Sequence, residues 1–372
     1  MPTGLALIRR RARARLEPEA PSNPDRPVGF EGPRPLFHRS SRVRPRRSGA
    51  ERSAAPPSSI HSAEVDMDHW LHGMFTALVT PFRAGALDEP SLARLVDWQV
   101  QEGADGIVLG SASGEYSTLS GKERIRLVTV ARAAAGPGYP ILAAAGSYSA
   151  ADSIAEVREA TAAGASAILL RLPYYSKPTQ AGLVRHVLSV AEVTSLPVII
   201  DNDPDRCAID LAPGTLAEMA EHPTIVGILE RRGDIARCDR IMRNCSRHFL
   251  RLTGASDTIP SYVVAGGCGA VTSIGNLAPR LLRRIREACR AGAFEQAQTL
   301  QRRLIPLHDL LSREPDPVAV KLALSFQHPG VGSVCRLPLV AAQPSLAEEL
   351  KYALDDLPRP SNGHAIEHRS AA

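Results

Sequence analysis

The sequence predicts an α/β fold, a closed (β/α)8 TIM barrel with a C-terminal helical cap. Three observations carry this. From about residue 73, short near-continuous apolar runs alternate with longer amphipathic segments. Strands apolar on both faces need helices on both sides, which is the pattern of a parallel sheet. Three helix exits share one wording: Gly103-Ala104-Asp105-Gly106, Gly164-Ala165-Ser166-Ala167 and Gly266-Gly267-Cys268-Gly269. In each a glycine stops the helix and small residues turn the chain into the next strand. Eight such units within roughly 200 residues suit a closed barrel better than an open doubly wound sheet.

The elements follow in order. Apolar runs predict strands at 75–79, 106–109, 140–145, 167–172, 197–200, 225–229, 249–253 and 270–273. The first helix opens at Asp88 and Pro90, and Leu92, Leu95, Val96 and Val100 form one apolar stripe along it. Ser120 and Glu123 stand at capping-box spacing for the next. After Pro279 the pattern is purely helical, with helices expected at 281–290, 294–311, 318–326 and 346–357. The domain reading is a disordered Arg/Pro-rich extension at 1–66, the barrel at 67–280, C-terminal helices at 281–358 and a polar tail at 359–372.

Charge placement narrows the function classes. The chain of 372 residues carries a formal charge of +5. Residues 1–66 hold 13 Arg against 7 acidic residues and 10 of the 30 prolines, while the rest has 31 basic and 32 acidic residues. Nucleic-acid binding needs cations clustered on a folded surface, so a near-neutral body argues against that partner. The extension reads either as an organelle-targeting leader or as a start placed upstream of Met67, and its acidic residues favour the second. No stretch approaches the roughly 20 apolar residues that span a bilayer. Six cysteines without a CxxC pair point to a reducing, cytoplasmic setting and to no zinc site. No HxH or HExxH pair occurs among 11 histidines.

In such a barrel the active site lies at the C-terminal ends of the strands. Strand two ends in Gly110-Ser111-Ala112-Ser113-Gly114-Glu115, a loop able to present N–H groups and hydroxyls to a carboxylate, or else a plain turn. Strand four ends in Pro173-Tyr174-Tyr175, residues able to relay protons, stack on a neighbouring subunit or simply pack the rim. Strand five ends in Asp201-Asn202-Asp203-Pro204-Asp205-Arg206. There Arg206 could clamp a carboxylate with two parallel hydrogen bonds, or neutralise its aspartate neighbours. Strand six ends in Ile228-Leu229-Glu230.

Several motifs stand in order along the chain. They are Ala-Leu-Val-Thr-Pro-Phe at 77–82, Gly-Glu-x-x-x-Leu-Ser at 114–120 and Pro-Tyr-Tyr-x-Lys-Pro-x-Gln-x-Gly at 173–182. Asn-x-Pro-x-Arg at 202–206, Pro-x-x-x-Lys at 317–321 and Arg-Leu-Pro-Leu at 336–339 follow. The ordered set resembles the dihydrodipicolinate synthase and N-acetylneuraminate lyase family over about residues 70–358. That resemblance implies a class I aldolase-type lyase whose strand-six lysine forms an imine with pyruvate or another 2-keto acid.

By position, Ala112 and Ser113 match the family's paired hydroxyl residues, Tyr175 its strand-four tyrosine and Arg206 its carboxylate-binding arginine. Asp201 stands where the family has a second tyrosine, and Leu229 where it has the lysine. Val271, on strand eight, is placed with the substrate-binding residues. Leucine has no nucleophilic atom. Aspartate replaces a weak acid with a group ionised at neutral pH unless strongly buried. Only four lysines occur, Lys122, Lys177, Lys321 and Lys351, and of these Lys177 alone follows a barrel strand.

Two functions are therefore expected. One is a lyase or aldolase acting on a 2-keto acid by a modified route, with Tyr175 and Asp201 as catalytic groups. The other is a non-catalytic relative that binds a small carboxylate or partners an active paralogue. A metal-dependent variant using Asp201, Asp203 and Glu115 ranks third. No cofactor is implied, and the resemblance implies a homodimer or homotetramer.

Overall fold

A computed structural model describes residues 70–357 of the chain. The extension at 1–66 and the tail beyond 358 lie outside these residues. Eight parallel strands form the barrel: β1 Met74–Ala77, β2 Gly106–Leu109, β3 Ile141–Ala145, β4 Ala167–Arg171, β5 Val198–Asn202, β6 Ile225–Glu230, β7 Leu250–Thr253 and β8 Gly269–Thr272. Each pairs with its sequence neighbours, and β8 closes onto β1 through Phe75 opposite Val271. All eight predicted strands are present, with no end shifted by more than two residues.

Side chains alternate along each strand, so one set fills the barrel and the other meets the helices. Phe75, Val108, Leu169, Ile199, Leu229 and Val271 belong to the inner set. The outer set packs against α1 Glu89–Gln101, α2 Gly121–Ala135, α3 Ala150–Ala162, α4 Gln180–Ala191, α5 Pro213–Met219, α6 Ile235–Asn244, α7 Ile259–Val264 and α8 Pro279–Arg290. Local chemistry explains the starts. Asp88 caps α1 by accepting from the Ser91 N–H, and Ser120 with Glu123 completes a capping box on α2. The exit glycines Gly103 and Gly164 have φ of 74° and 98°, the left-handed region that a side chain disfavours.

The C-terminal region holds α9 Phe294–Arg302, α10 Ile305–Leu311, α11 Val318–Gln327 and α12 Leu346–Asp355. The single helix expected over 294–311 is in fact two. Pro306 cannot donate an N–H, and the chain breaks just upstream so that the proline falls in the first turn of α10. Two anchors tie this region to the barrel. The Arg336 guanidinium binds Glu123, with Nη1 3.0 Å from Oε2, and lies 4.1 Å from the centre of the Phe82 ring. The Lys321 amine lies 4.4 Å from the same ring and is ion-paired with Glu115. No helix of the described residues is long and apolar enough to cross a membrane.

Candidate active site

One inward row crosses β4, β5 and β6 at their C-terminal ends: Arg171 pairs in register with Asp201, and Asp201 with Leu229. Leu229 is fully buried in the inner apolar cluster, its side chain closing the floor of the mouth. Directly above it, Arg231 reaches back across β5 and grips Asp201 with both arms, Nε to Oδ1 at 2.7 Å and Nη2 to Oδ2 at 2.9 Å. Burial opposes the charge on Arg231, but Asp201, with Asp203 and Asp316 beyond it, outweighs that and pushes the guanidinium above its ordinary range.

The loop after β2 supplies the opposite wall. Thr80 donates to the Gly114 carbonyl at 2.7 Å and holds the loop against the end of β1. The Ser113 hydroxyl donates to Asp316 Oδ2 at 2.6 Å, bringing together residues 203 positions apart. Asp316 Oδ1 is buried without a hydrogen-bond partner among the described residues. Burial raises the Asp316 pKa, opposed by the Ser113 hydrogen bond and by Arg206 and Arg231. Ala112 is partly buried in the same loop and contributes no hydroxyl.

The remaining predicted residues take different settings. Arg206 lies on the single helical turn Pro204–Cys207, half exposed, with Nε 3.5 Å from the Asp203 carboxylate that also caps the turn. Tyr175 is 91% exposed at the rim, with φ of 70°. Val271 is buried inside the barrel. The three carboxylates of the metal reading are not gathered on one point. Asp201 is taken by Arg231, while Glu115 serves Lys321 and the Arg336 N–H.

All four lysines of the chain lie off the barrel strands. Lys122 and Lys177 are exposed and Lys351 is half exposed on α12. Lys321 is buried, and its amine is engaged by Glu115, at the end of the loop after β2, and by the Val334 carbonyl at 2.8 Å. Burial lowers the Lys321 pKa, with Glu115 opposing.

Two residues at this mouth escaped the sequence reading, Arg171 and Asp316, and Arg231 was weighed there only as a group that cannot form an imine. Arg171 ends an apolar strand, with its guanidinium 4.1 Å from the centre of the Tyr116 ring. The Tyr116 hydroxyl donates to Glu156, and the Gly146 carbonyl lies 3.3 Å from the same oxygen. Among the described residues, the Arg171 guanidinium has no hydrogen-bond or ion-pair partner.

The model of the dihydrodipicolinate synthetase family matches residues 70–357, the whole described barrel and cap. The chain belongs to this family. It is 38% identical over 288 residues to the 4-hydroxy-tetrahydrodipicolinate synthase of Acidiphilium cryptum, covering 77% of this chain and 98% of that one. It is 41% identical over 285 residues to the synthase of the same name from Roseobacter denitrificans, covering 76% of this chain and 96% of that one. Among solved structures, a chloride-inhibited dihydrodipicolinate synthase from Acinetobacter baumannii, complexed with pyruvate, superposes with a TM-score of 0.74 at 34% identity. That match covers 77% of this chain and 98% of the other. These relatives make the chain a lyase-family member of the dihydrodipicolinate synthetase group.

Proposed function

We propose that this family member acts on a pyruvate-like 2-keto acid at the barrel mouth without forming an imine. The observation that carries the reading is Leu229, a saturated side chain buried at the inward position on β6 where the resemblance expects the amine. An imine nitrogen ordinarily absorbs the electron pair that develops beside the carbonyl carbon. Without one, the carbonyl oxygen itself must carry that charge, and the Arg231 guanidinium above Leu229 is the cation assigned to hold it. Asp316, beside Ser113, and Asp201, once released by Arg231, are the carboxylates we assign to move a proton. Arg206 at the rim and the Ser113 loop would anchor the substrate carboxylate. The pyruvate complex of the Acinetobacter relative supports the ligand class.

Borohydride treatment in the presence of pyruvate, followed by intact mass, tests the route. The expected result is an unmodified chain. A stable adduct on any lysine would sink the proposal. Turnover of a panel of keto acids, assayed beside ligand-dependent thermal shifts, separates a working lyase from a relative that only binds.

A homodimer or homotetramer is also proposed, with the exposed rings of Tyr175 and Tyr148 at the rim as its support. The six cysteines are all free thiols, consistent with the proposed cytoplasmic setting.

A further inference from the structure

Each guanidinium near the mouth can be asked what it already binds. Arg231 is held by both oxygens of Asp201, Arg206 faces Asp203, and Arg232 is paired with Asp205. Arg171 differs. It is partly buried on the inward row beside Asp201, and no acceptor among the described residues meets its five N–H donors.

It is nevertheless held in place. Tyr116 offers a ring face 4.1 Å from the guanidinium carbon, and that ring is itself fixed at its hydroxyl by Glu156. Arg124, paired with Glu156 at 3.1 Å, braces the same assembly. The backbone is confined as well. A side chain at Gly146 would place its Cβ 2.5 Å from the Arg171 carbonyl oxygen, so only glycine allows the end of β3 to pack there. Stacking engages the face of a guanidinium and leaves its N–H edges pointing outward in the plane. An oriented, partly desolvated and unpaired guanidinium is a carboxylate receptor awaiting its anion.

We propose that Arg171 binds a carboxylate of the substrate, so that the mouth takes a 2-keto acid with a second carboxylate in preference to a monocarboxylate. The inference rests on the keto-acid reading above and adds to it the charge of the substrate. With the other cations matched to aspartates, Arg171 is the uncompensated positive charge of this row. A dianionic ligand can engage it while its first carboxylate meets the Ser113 loop and Arg206.

Isothermal titration of the full chain with pyruvate, 2-oxoglutarate and glutarate tests both layers. The expected order is 2-oxoglutarate bound at least about tenfold more tightly than pyruvate. Arg171→Gln should remove most of that preference while changing pyruvate affinity little. Arg171→Lys, which keeps the charge but not the planar fork, should retain part of it. Thermal melting of both variants checks the fold, and if either fails, Tyr116→Phe, which frees the ring at its hydroxyl and so loosens the Arg171 guanidinium, should reduce the preference while pyruvate affinity changes little.

Equal affinity of the native chain for the two keto acids, or equal losses for both in Arg171→Gln, would overturn the proposal. Binding of glutarate as tight as 2-oxoglutarate, lost in Arg171→Gln, would uphold the Arg171 site while removing the keto-acid reading. Failure of all three ligands to bind would overturn both.

Discussion

Leu229 contributes to this molecule as packing. It is completely shielded and lies in the inner cluster with Leu169, Ile199 and Leu252 around the barrel axis. Truncation to alanine leaves a void that the closed β-wall cannot collapse to fill. Leu229→Ala should therefore cost about 2–5 kcal/mol, read as a lower urea midpoint at unchanged slope. A cost near zero would mean that the mouth already opens onto that side chain. The same scale shows what the sequence could reveal. Leu229 and Asp201 were legible as positions on neighbouring strands, since the motif order fixes which strand each one ends. Arg171 was not, because a polar residue closing an apolar run reads as an ordinary strand end. Asp316 was hidden for another reason, since its partner Ser113 is 203 residues away and nothing local in either segment announces the contact.

At the scale of elements, α11 is joined to the β2 loop by one buried charge pair. Both side chains of Glu115 and Lys321 are essentially inaccessible to water, and the second Glu115 oxygen accepts the Arg336 N–H at 2.8 Å. Glu115 itself is in the left-handed region, with φ of 55°, so the loop geometry and the pair are built together. Removing one member strands the other in a low-dielectric setting. Lys321→Met should lose about 3–5 kcal/mol, and adding Glu115→Gln should recover much of that loss. Chemical denaturation of the two variants provides the measurement, and a single variant as stable as the double would refute this account. Strands were easier to foresee than such joints. Eight apolar runs specify a parallel wall by composition alone, and each was found within a residue or two of its expected bounds. The break between α9 and α10 needed Pro306 to be given more weight than the amphipathic period running through it.

At the largest scale, the described residues form a barrel with a cap held partly by groups sensitive to acid. Glu123 on α2 takes the Arg336 guanidinium, whose hydrogen bonds outweigh burial and hold the carboxyl down at about 2, against an ordinary 4.5. His328, at the end of α11, lies edge-on to Trp98 of α1 with ring centres 4.5 Å apart. Burial lowers its pKa from 6.5 to about 4. Both groups bind protons more readily in the unfolded chain, so both contributions are complete at neutral pH and are lost on acidification. The His328 share fades between about pH 6.5 and 4, and the Glu123 share between about 4.5 and 2. Since each joins the C-terminal region to the barrel's α1–α2 side, the first weakening should be local to that joint. Hydrogen exchange at pH 4.5 and 7 should show protection falling in 318–339 before it falls in the β-wall. His328→Phe keeps a ring against Trp98 but cannot titrate, so it should flatten the upper part of the stability profile and leave the lower part in place. Identical profiles for the native chain and this variant would mean that acid enters the fold elsewhere.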